Sequence, residues 1–196
     1  MPSNEVEIKF ILSDLAATER RLRAIGFRRI TPRTHEMNVL YDLPGNPLRR
    51  RGEILRLREY GGKWKLTHKS KGTAKRHKSR VELETAVDDG KKLDAILHAL
   101  GFRPTFRYEK FRSEWSDGRG HVVLDHTPIA DLGEIEGDPE WIDETARKLG
   151  IERGDYITKS YAELFFEWKR RTGQKAMNMT FEEIGGSAKP DDGKAQ

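Results

Sequence analysis

Apolar and polar side chains alternate along residues 4 to 12, with Val6, Ile8 and Phe10 on one side and Glu5, Glu7 and Lys9 on the other. A period of two sends neighbours to opposite faces, so the stretch predicts a strand although Glu and Lys are poor strand formers. Ser13 is placed to cap a helix running to about Ile25, with Leu15, Leu22 and Ile25 on one side and Gly26 as terminator. Residues 27 to 43 read as extended and end in a turn at PGNP, residues 44 to 47. Residues 54 to 71 read as a hairpin with Gly61 and Gly62 at its tip, followed by a polar loop over residues 72 to 78. Alternation returns in SRVELET, residues 79 to 85. The spacing of Leu93, Ile96, Leu97 and Leu100 predicts a helix over 88 to 100, closed by Gly101. Strands are expected at about 106 to 116 and 120 to 126, joined through DGRG, and again at 132 to 137. Helices are expected at 139 to 149 and 158 to 171. The spellings LRAIGF, residues 22 to 27, and LHALGF, residues 97 to 102, hint at two related halves.

Strand after strand carries one charged and one apolar face. Arg56 and Arg58 oppose Leu55 and Leu57; Lys65, Thr67 and Lys69 share a face; Arg80, Glu82 and Glu84 oppose Val81 and Leu83. Lys110, Arg112 and Glu114 oppose Phe111, Val123 and Asp125 share a face, and Glu134 and Glu136 flank Ile135. An antiparallel sheet with its apolar face under helices satisfies this pattern, which makes the chain α+β. For any single strand, a solvated charged face is the simpler explanation. Seven strands with acids at the two ends and mostly bases between them favour curling the sheet into a barrel, with both signs around one cavity.

Composition sharpens the picture. Of 196 residues, 35% are charged, against about 25% in ordinary globular domains. The net charge of +5 suggests a polyanionic partner. Cysteine is absent, which excludes disulfides, thiolate metal sites and a cysteine nucleophile. No apolar run approaches the ~20 residues of a membrane span, so no membrane partner is expected and the cytoplasm is the default location. From about Thr172 the chain is rich in Gly, Lys, Asp and Ser, and residues 172–196 are expected to form a mobile tail beside a domain at 1–171. Residues 63 to 80 hold eight Lys or Arg in eighteen positions, so a nucleic-acid-binding module is a second class of reading. The acids on the same faces repel a nucleic-acid backbone, which disfavours it. The sequence is compatible with a homodimer.

The charges suit a triphosphate site. Mg²⁺ or Mn²⁺ takes hard oxygen ligands, and Mg²⁺ usually keeps one or two carboxylates beside phosphate oxygens. Glu5/Glu7 and Glu134/Glu136 are two such pairs. Members of a pair lie about 6.6 Å apart along a strand, so one Glu from each pair makes the more natural bridge. Arg grips phosphate as a bidentate fork and Lys as a point charge.

The ordered motifs resemble those of the CYTH family of triphosphate tunnel metalloenzymes, which includes class IV adenylate cyclases and thiamine triphosphatases. EVEIK, residues 5 to 9, is similar to the family's ExExK signature. LYDLPGNPLRRRGEILRLRE, LTHKSK, RVELE, EKFR, LDHTPIADLGEIE and SYAELF then follow in the family's order, covering roughly residues 4 to 168. The resemblance implies an eight-stranded antiparallel barrel forming a tunnel, with helices outside. It implies Glu5, Glu7, Glu134 and Glu136 as metal-handling acids, with Mg²⁺ or Mn²⁺ as cofactor. It implies Lys9, Arg56, Arg58, Lys69, Arg80, Lys110 and Arg112 as phosphate-binding bases and Asp125 as a further site acid. Glu7, Lys9, Lys110, Asp125 and Glu136 are the candidate catalytic groups. Glu82 and Glu84 divide evenly between ion pairing and metal binding, and Lys65 between a clamp and a solvated base. Three positions depart from the family: Asn38 where Asp is common, and Ala130 and Leu132 where Gly and Phe are common.

The implied substrate is a triphosphate: ATP, tripolyphosphate or thiamine triphosphate. LTHKSK, the LGF helix end and EKFR lie closer to the class IV cyclases, which makes conversion of ATP to cyclic AMP and pyrophosphate the first reading. TPIADLGEIE lies closer to the triphosphatases, which release phosphate. The remaining features read as structural. His68 faces away from Lys69, no histidine spacing suggests zinc, Trp141, Trp168 and Tyr161 pack helices, and Arg49 to Arg51 form a solvated turn.

Overall fold

The computed structural model describes residues 3–185. Its strands are β1 (Ser3–Ile11), β2 (Arg28–Asp42), β3 (Ile54–Tyr60), β4 (Lys63–Lys69), β5 (Thr73–Ala74), β6 (Lys78–Val87), β7 (Arg103–Ser116), β8 (His121–His126) and β9 (Asp131–Glu136). Its helices are α1 (Leu15–Ala24), α2 (Pro47–Arg51), α3 (Gly90–Ala99), α4 (Pro139–Leu149), α5 (Tyr161–Thr172) and α6 (Phe181–Ile184). The sheet runs β1-β9-β8-β7-β2-β3-β4-β6, and β6 pairs again with β1. Eight antiparallel strands therefore close on themselves, and the expected barrel is present. Within the loop expected at 72 to 78, β5 adds two residues against β6.

Each half follows one plan: a strand, a helix, then a three-stranded meander. Both helices end at glycines with positive φ, Gly26 at 93° and Gly101 at 92°. The cap of α1 is Asp14, not Ser13; its carboxylate accepts the Ala17 N–H at 2.8 Å. The run Arg49 to Arg51 belongs to α2, which Asp42 anchors by accepting N–H bonds from Leu43, Leu48 and Arg49 at 2.8, 3.1 and 2.9 Å.

Parity sorts the side chains as expected. Ile8, Phe10, Trp115, Val122 and Ile135 face outward and are buried with Leu22, Trp141 and Ile142 of α1 and α4. Gly133 leaves room for this packing, since a Cβ there would lie 2.1 Å from the Phe10 ring. A second outer cluster joins Leu57 and Tyr41 to Leu97 of α3. The third cluster is different: Phe106, Tyr108 and Leu132, on the lumen side by parity, meet Tyr161 and Phe165 of α5. This helix covers one end of the barrel.

The expectation of a mobile tail from Thr172 does not hold over its described part. Met179 is fully buried and Phe181 is 6% exposed. The Met179 N–H donates to Arg107 O at 2.9 Å, the Glu109 N–H donates to Met179 O at 3.0 Å, and the Phe181 N–H donates to Glu109 Oε1 at 2.7 Å. Two apolar anchors in a polar stretch suffice because β7 offers unpaired backbone there; composition averages them away. Residues 186–196 lie outside the described residues.

Candidate active site

The inward faces enclose a cavity of about 390 Å³. Eleven of the residues expected to act on phosphate or metal line it: Glu5, Glu7, Lys9, Arg56, Arg58, Lys69, Arg80, Lys110, Arg112, Glu134 and Glu136. Asp125 does not line it; it lies behind the wall, fully buried. Lys65 is outside as well, with its ammonium 2.6 Å from Glu84. Glu82 and Glu84 are both in the lining and both ion-paired, Glu82 with Lys69 at 2.8 Å.

One wall is acidic. Strand register sets Glu7 beside Glu136 and Lys9 beside Glu134. Lys9 Nζ bridges Glu7 at 2.7 Å and Glu134 at 3.2 Å. Lys69 holds Glu5, donating to its two oxygens at 2.7 and 2.8 Å. Burial disfavours the Glu134 anion, yet Lys9, Arg112 and Lys110 outweigh it and hold the carboxyl well below the usual range. Glu136 is the opposite case. Burial, reinforced by Glu5, Glu134 and Glu7, pushes it up to about 7. Burial and the Lys9 charge push Lys78, beside Glu7 at 3.6 Å, down to about 8.

The floor is a buried ionic network. Arg112 donates to Asp125 Oδ1 at 2.8 Å and Oδ2 at 2.6 Å, and to Glu134 at 2.7 Å. Lys110 donates to Asp125 at 3.0 Å and lies 3.5 Å from Glu36. The Tyr161 hydroxyl also donates to Asp125, and Lys110 Nζ sits 4.2 Å from the centre of its ring. Tyr161 thus packs α5 onto the barrel and also walls the cavity.

Opposite stand Arg56 and Arg58 of β3 and Arg80 of β6. Arg58 is held by Glu84 at 3.0 Å. Arg56 is loosely held, with Thr67 at 3.4 Å, Glu82 at 3.8 Å and Glu84 at 3.9 Å. Arg80 has no ion pair among the described residues, and the buried Nε atoms of Arg56 and Arg80 bond to nothing.

Sequence reasoning missed Glu36, Lys78, Tyr108 and Ser160. Glu36 is fully buried under Lys110, Arg112 and Arg58. These cations overcome burial and hold its carboxyl far below the usual range. Asn38 donates to Glu36 at 2.9 Å, so the Asn at this departure from the family serves the same network. The missed signal was parity in β2, where Glu36, Asn38 and Leu40 share the inward face.

The acidic wall fits a hard divalent cation by donor type. Among the described residues no three acids or histidines form a ready cage; the wall offers one or two carboxylates at a time, the number Mg²⁺ commonly takes. The raised carboxyl of Glu136 has a testable consequence. An acid normally near 4.5 and raised to about 7 in the fold binds more protons folded than unfolded between those values, so its contribution to stability falls as pH rises through that window. Glu136→Gln removes that loss. In chelator, its melting temperature should match the wild type near pH 4.5 and exceed it increasingly up to pH 7, then level off. A constant offset would show that burial and the acidic neighbours do not raise Glu136.

A model of the CYTH domain matches residues 3–161. The chain belongs to the CYTH domain family. A protein of Methanocaldococcus jannaschii named "Putative adenylate cyclase" is 30% identical over 171 residues, which cover 82% of this chain and 97% of that protein. A structure from Vibrio parahaemolyticus with the same description aligns with a TM-score of 0.74 at 22% identity, covering 83% of this chain and 97% of its own. A cyclase-named protein from Hippeastrum, described as having a dominant triphosphatase activity, aligns with a TM-score of 0.60 at 21% identity, covering 83% and 95%. These two structures share the CYTH barrel fold. Among the described residues no helix is long and apolar enough to cross a membrane.

Proposed function

We propose that this CYTH protein is a divalent-metal-dependent enzyme acting on a triphosphate inside the barrel, and that its reaction is the adenylate cyclase reaction, ATP to cyclic AMP and pyrophosphate. The observation that carries the reading is a buried ring of eight Lys and Arg side chains facing an acidic wall. Cations packed that densely need a polyanion, and three of them, Arg56, Arg58 and Arg80, keep a buried Nε without a bond among the described residues.

Lys9, Lys110 and Arg112 are fixed by Glu7, Glu134 and Asp125. They therefore present charge to the phosphates without reorganising, which is how electrostatic stabilisation of a phosphoryl transition state works best. One or two of Glu5, Glu7, Glu134 and Glu136 at a time would hold Mg²⁺ or Mn²⁺, which neutralises phosphate charge and orients the attacked phosphorus when bound. When Glu136 is not among them, its carboxyl, raised to about 7, is suited to take the proton of the attacking hydroxyl on a carboxylate oxygen. Lys69, Lys78 and Arg80 supply three of the eight bases in the basic run at 63 to 80 and point into this cavity; a nucleic acid on the outer surface cannot use them.

A triphosphatase is the second reading, supported by the activity described for the Hippeastrum protein. The same charges then serve a water that attacks the terminal phosphorus. Incubation with ATP, and separately tripolyphosphate, with Mg²⁺ or Mn²⁺ separates the two. Cyclic AMP with pyrophosphate supports the cyclase; orthophosphate selects the triphosphatase; folded protein that turns over neither compound removes both.

Arg56→Ala should raise KM for the triphosphate by roughly ten-fold or more, the value of one charge-assisted contact, with a smaller change in kcat. An unchanged KM would mean Arg56 does not touch the phosphates.

A further inference from the structure

Two separate pieces of chain lie end to end along one edge of β1. Strand β6 begins at Lys78 and pairs with β1 from Glu7↔Lys78 to Ser3↔Glu82. One step further along β1, Ile157 takes its place and exchanges two N–H···O bonds with Lys9, both at 2.8 Å. A seam therefore lies between Lys78 and Ile157. Lys78 stands at it with its side chain in the cavity and its ammonium 3.6 Å from Glu7. That separation is beyond hydrogen-bond range, so the backbone at the seam sets where this ammonium stands.

The residues that flank the seam on the outside, His77 and Tyr156, converge on one carboxylate. Asp143 of α4 accepts on Oδ1 from His77 Nε2 at 2.9 Å and from the Tyr156 hydroxyl at 3.1 Å. The two rings lie 6.2 Å apart. Oδ2 faces Arg76 at 3.0 Å and Arg153 at 3.8 Å, both exposed. Exposed ion pairs hold little; the His77 side chain is only 9% exposed, so the Oδ1 bonds are the covered ones. The helix that carries Asp143 is fixed in turn, because Trp141, Ile142 and Ala146 are buried in the first outer cluster. Asp143 thus fastens both sides of the seam to a rigid element, and it does so from outside the cavity, which it does not line.

We propose that Asp143 is a positioning residue for the reaction in the barrel: by tying His77 to Tyr156 it fixes the place of the Lys78 ammonium beside Glu7. This rests on the reading of the cavity as a triphosphate site, in which Lys78 is one of the cations. A cation displaced by about 1 Å loses much of its hold on the transition state. The other cations still bind the phosphates, so the loss falls on kcat and spares KM.

The test measures kcat and KM in the full chain with Mg²⁺ or Mn²⁺, with ATP and with tripolyphosphate, at a temperature where circular dichroism shows each variant folded. Asp143→Ala should lower kcat by about ten-fold or more and leave KM within about three-fold. Asp143→Asn should keep kcat within about two-fold of the wild type, because its amide oxygen still accepts from His77 and Tyr156. His77→Phe keeps a ring beside Tyr156 but loses the bond; it should lower kcat in the same way, and it carries the test if the alanine variant does not fold. Added to Lys78→Met, Asp143→Ala should cost less than about two-fold more, since its effect runs through Lys78. A further loss of about ten-fold in that background overturns the proposal. So does a folded Asp143→Ala or His77→Phe that keeps the wild-type kcat and only melts earlier, as a bond with a purely structural role would give; the triphosphate reading then stands. Folded wild type that turns over neither compound overturns both.

Discussion

Glu134→Gln should lower turnover of the triphosphate substrate by at least ~100-fold, in the range found when a preorganised electrostatic group is removed. The carboxylate sits at the centre of the site. Arg112 reaches it at 2.7 Å and Lys9 at 3.2 Å, and β1 places Glu7 on the other side of Lys9. Gln keeps the size and one acceptor but removes the charge. Lys9 and Arg112 lose a shared counter-charge, so they drift or bind phosphate too tightly in the ground state, and the acidic wall loses one hard ligand. Circular dichroism and cooperative unfolding should persist, because Arg112 retains Asp125 and Lys9 retains Glu7. A variant with more than half of wild-type activity would remove Glu134 from the mechanism.

Asp125→Ala should act on stability. Asp125 is fully buried and receives Lys110, both nitrogens of the Arg112 fork and the Tyr161 hydroxyl. Removing it leaves Lys110 with Glu36 at 3.5 Å and Arg112 with Glu134 at 2.7 Å, each short of its main counter-charge, and breaking a buried pair on one side costs about 3–5 kcal/mol. For a chain of this length that corresponds to a fall in melting temperature of the order of 10 °C. Added tripolyphosphate should recover part of the loss, since it supplies negative charge to the same cations. A shift below about 2 °C would mean that the network relaxes freely around the gap. The role of Asp125 is then that of a positioning residue: it orients the bases from behind the wall and does not line the cavity itself.

Glu134 was visible in the sequence because LGEIEG alternates cleanly, so its face follows from its neighbours. Asp125 follows Val122, Val123 and Leu124, three apolar residues in a row, and was reached through the family resemblance. Glu36 shows where that reasoning stops. It lies in β2, whose pairing with β7 shifts register between Arg29 and Thr31, between Thr31 and Thr34, and between Leu40 and Tyr41. The first two precede Glu36 and each can swap inward and outward positions, so parity identifies Glu36 only when counted within the stretch from Glu36 to Leu40 and not from the start of the strand. Met179 and Phe181 show a second limit. Nothing local in a polar segment says that two apolar side chains meet Phe106 and Phe111 across seventy or more residues of chain.

By itself, the sequence determined which residues share a face, where helices stop and what chemistry the charged face offers. Those properties depend on a period of two or 3.6 and on side-chain type, which are local. Only the tertiary structure decided that β6 closes onto β1 and that Lys69 neutralises Glu5. It also decided that Glu136 is left in the field of its acidic neighbours, and that α5 covers one end of the charged lumen. Ion pairing and pKa depend on distance and burial, and both arise only when strands remote in sequence are brought around one cavity.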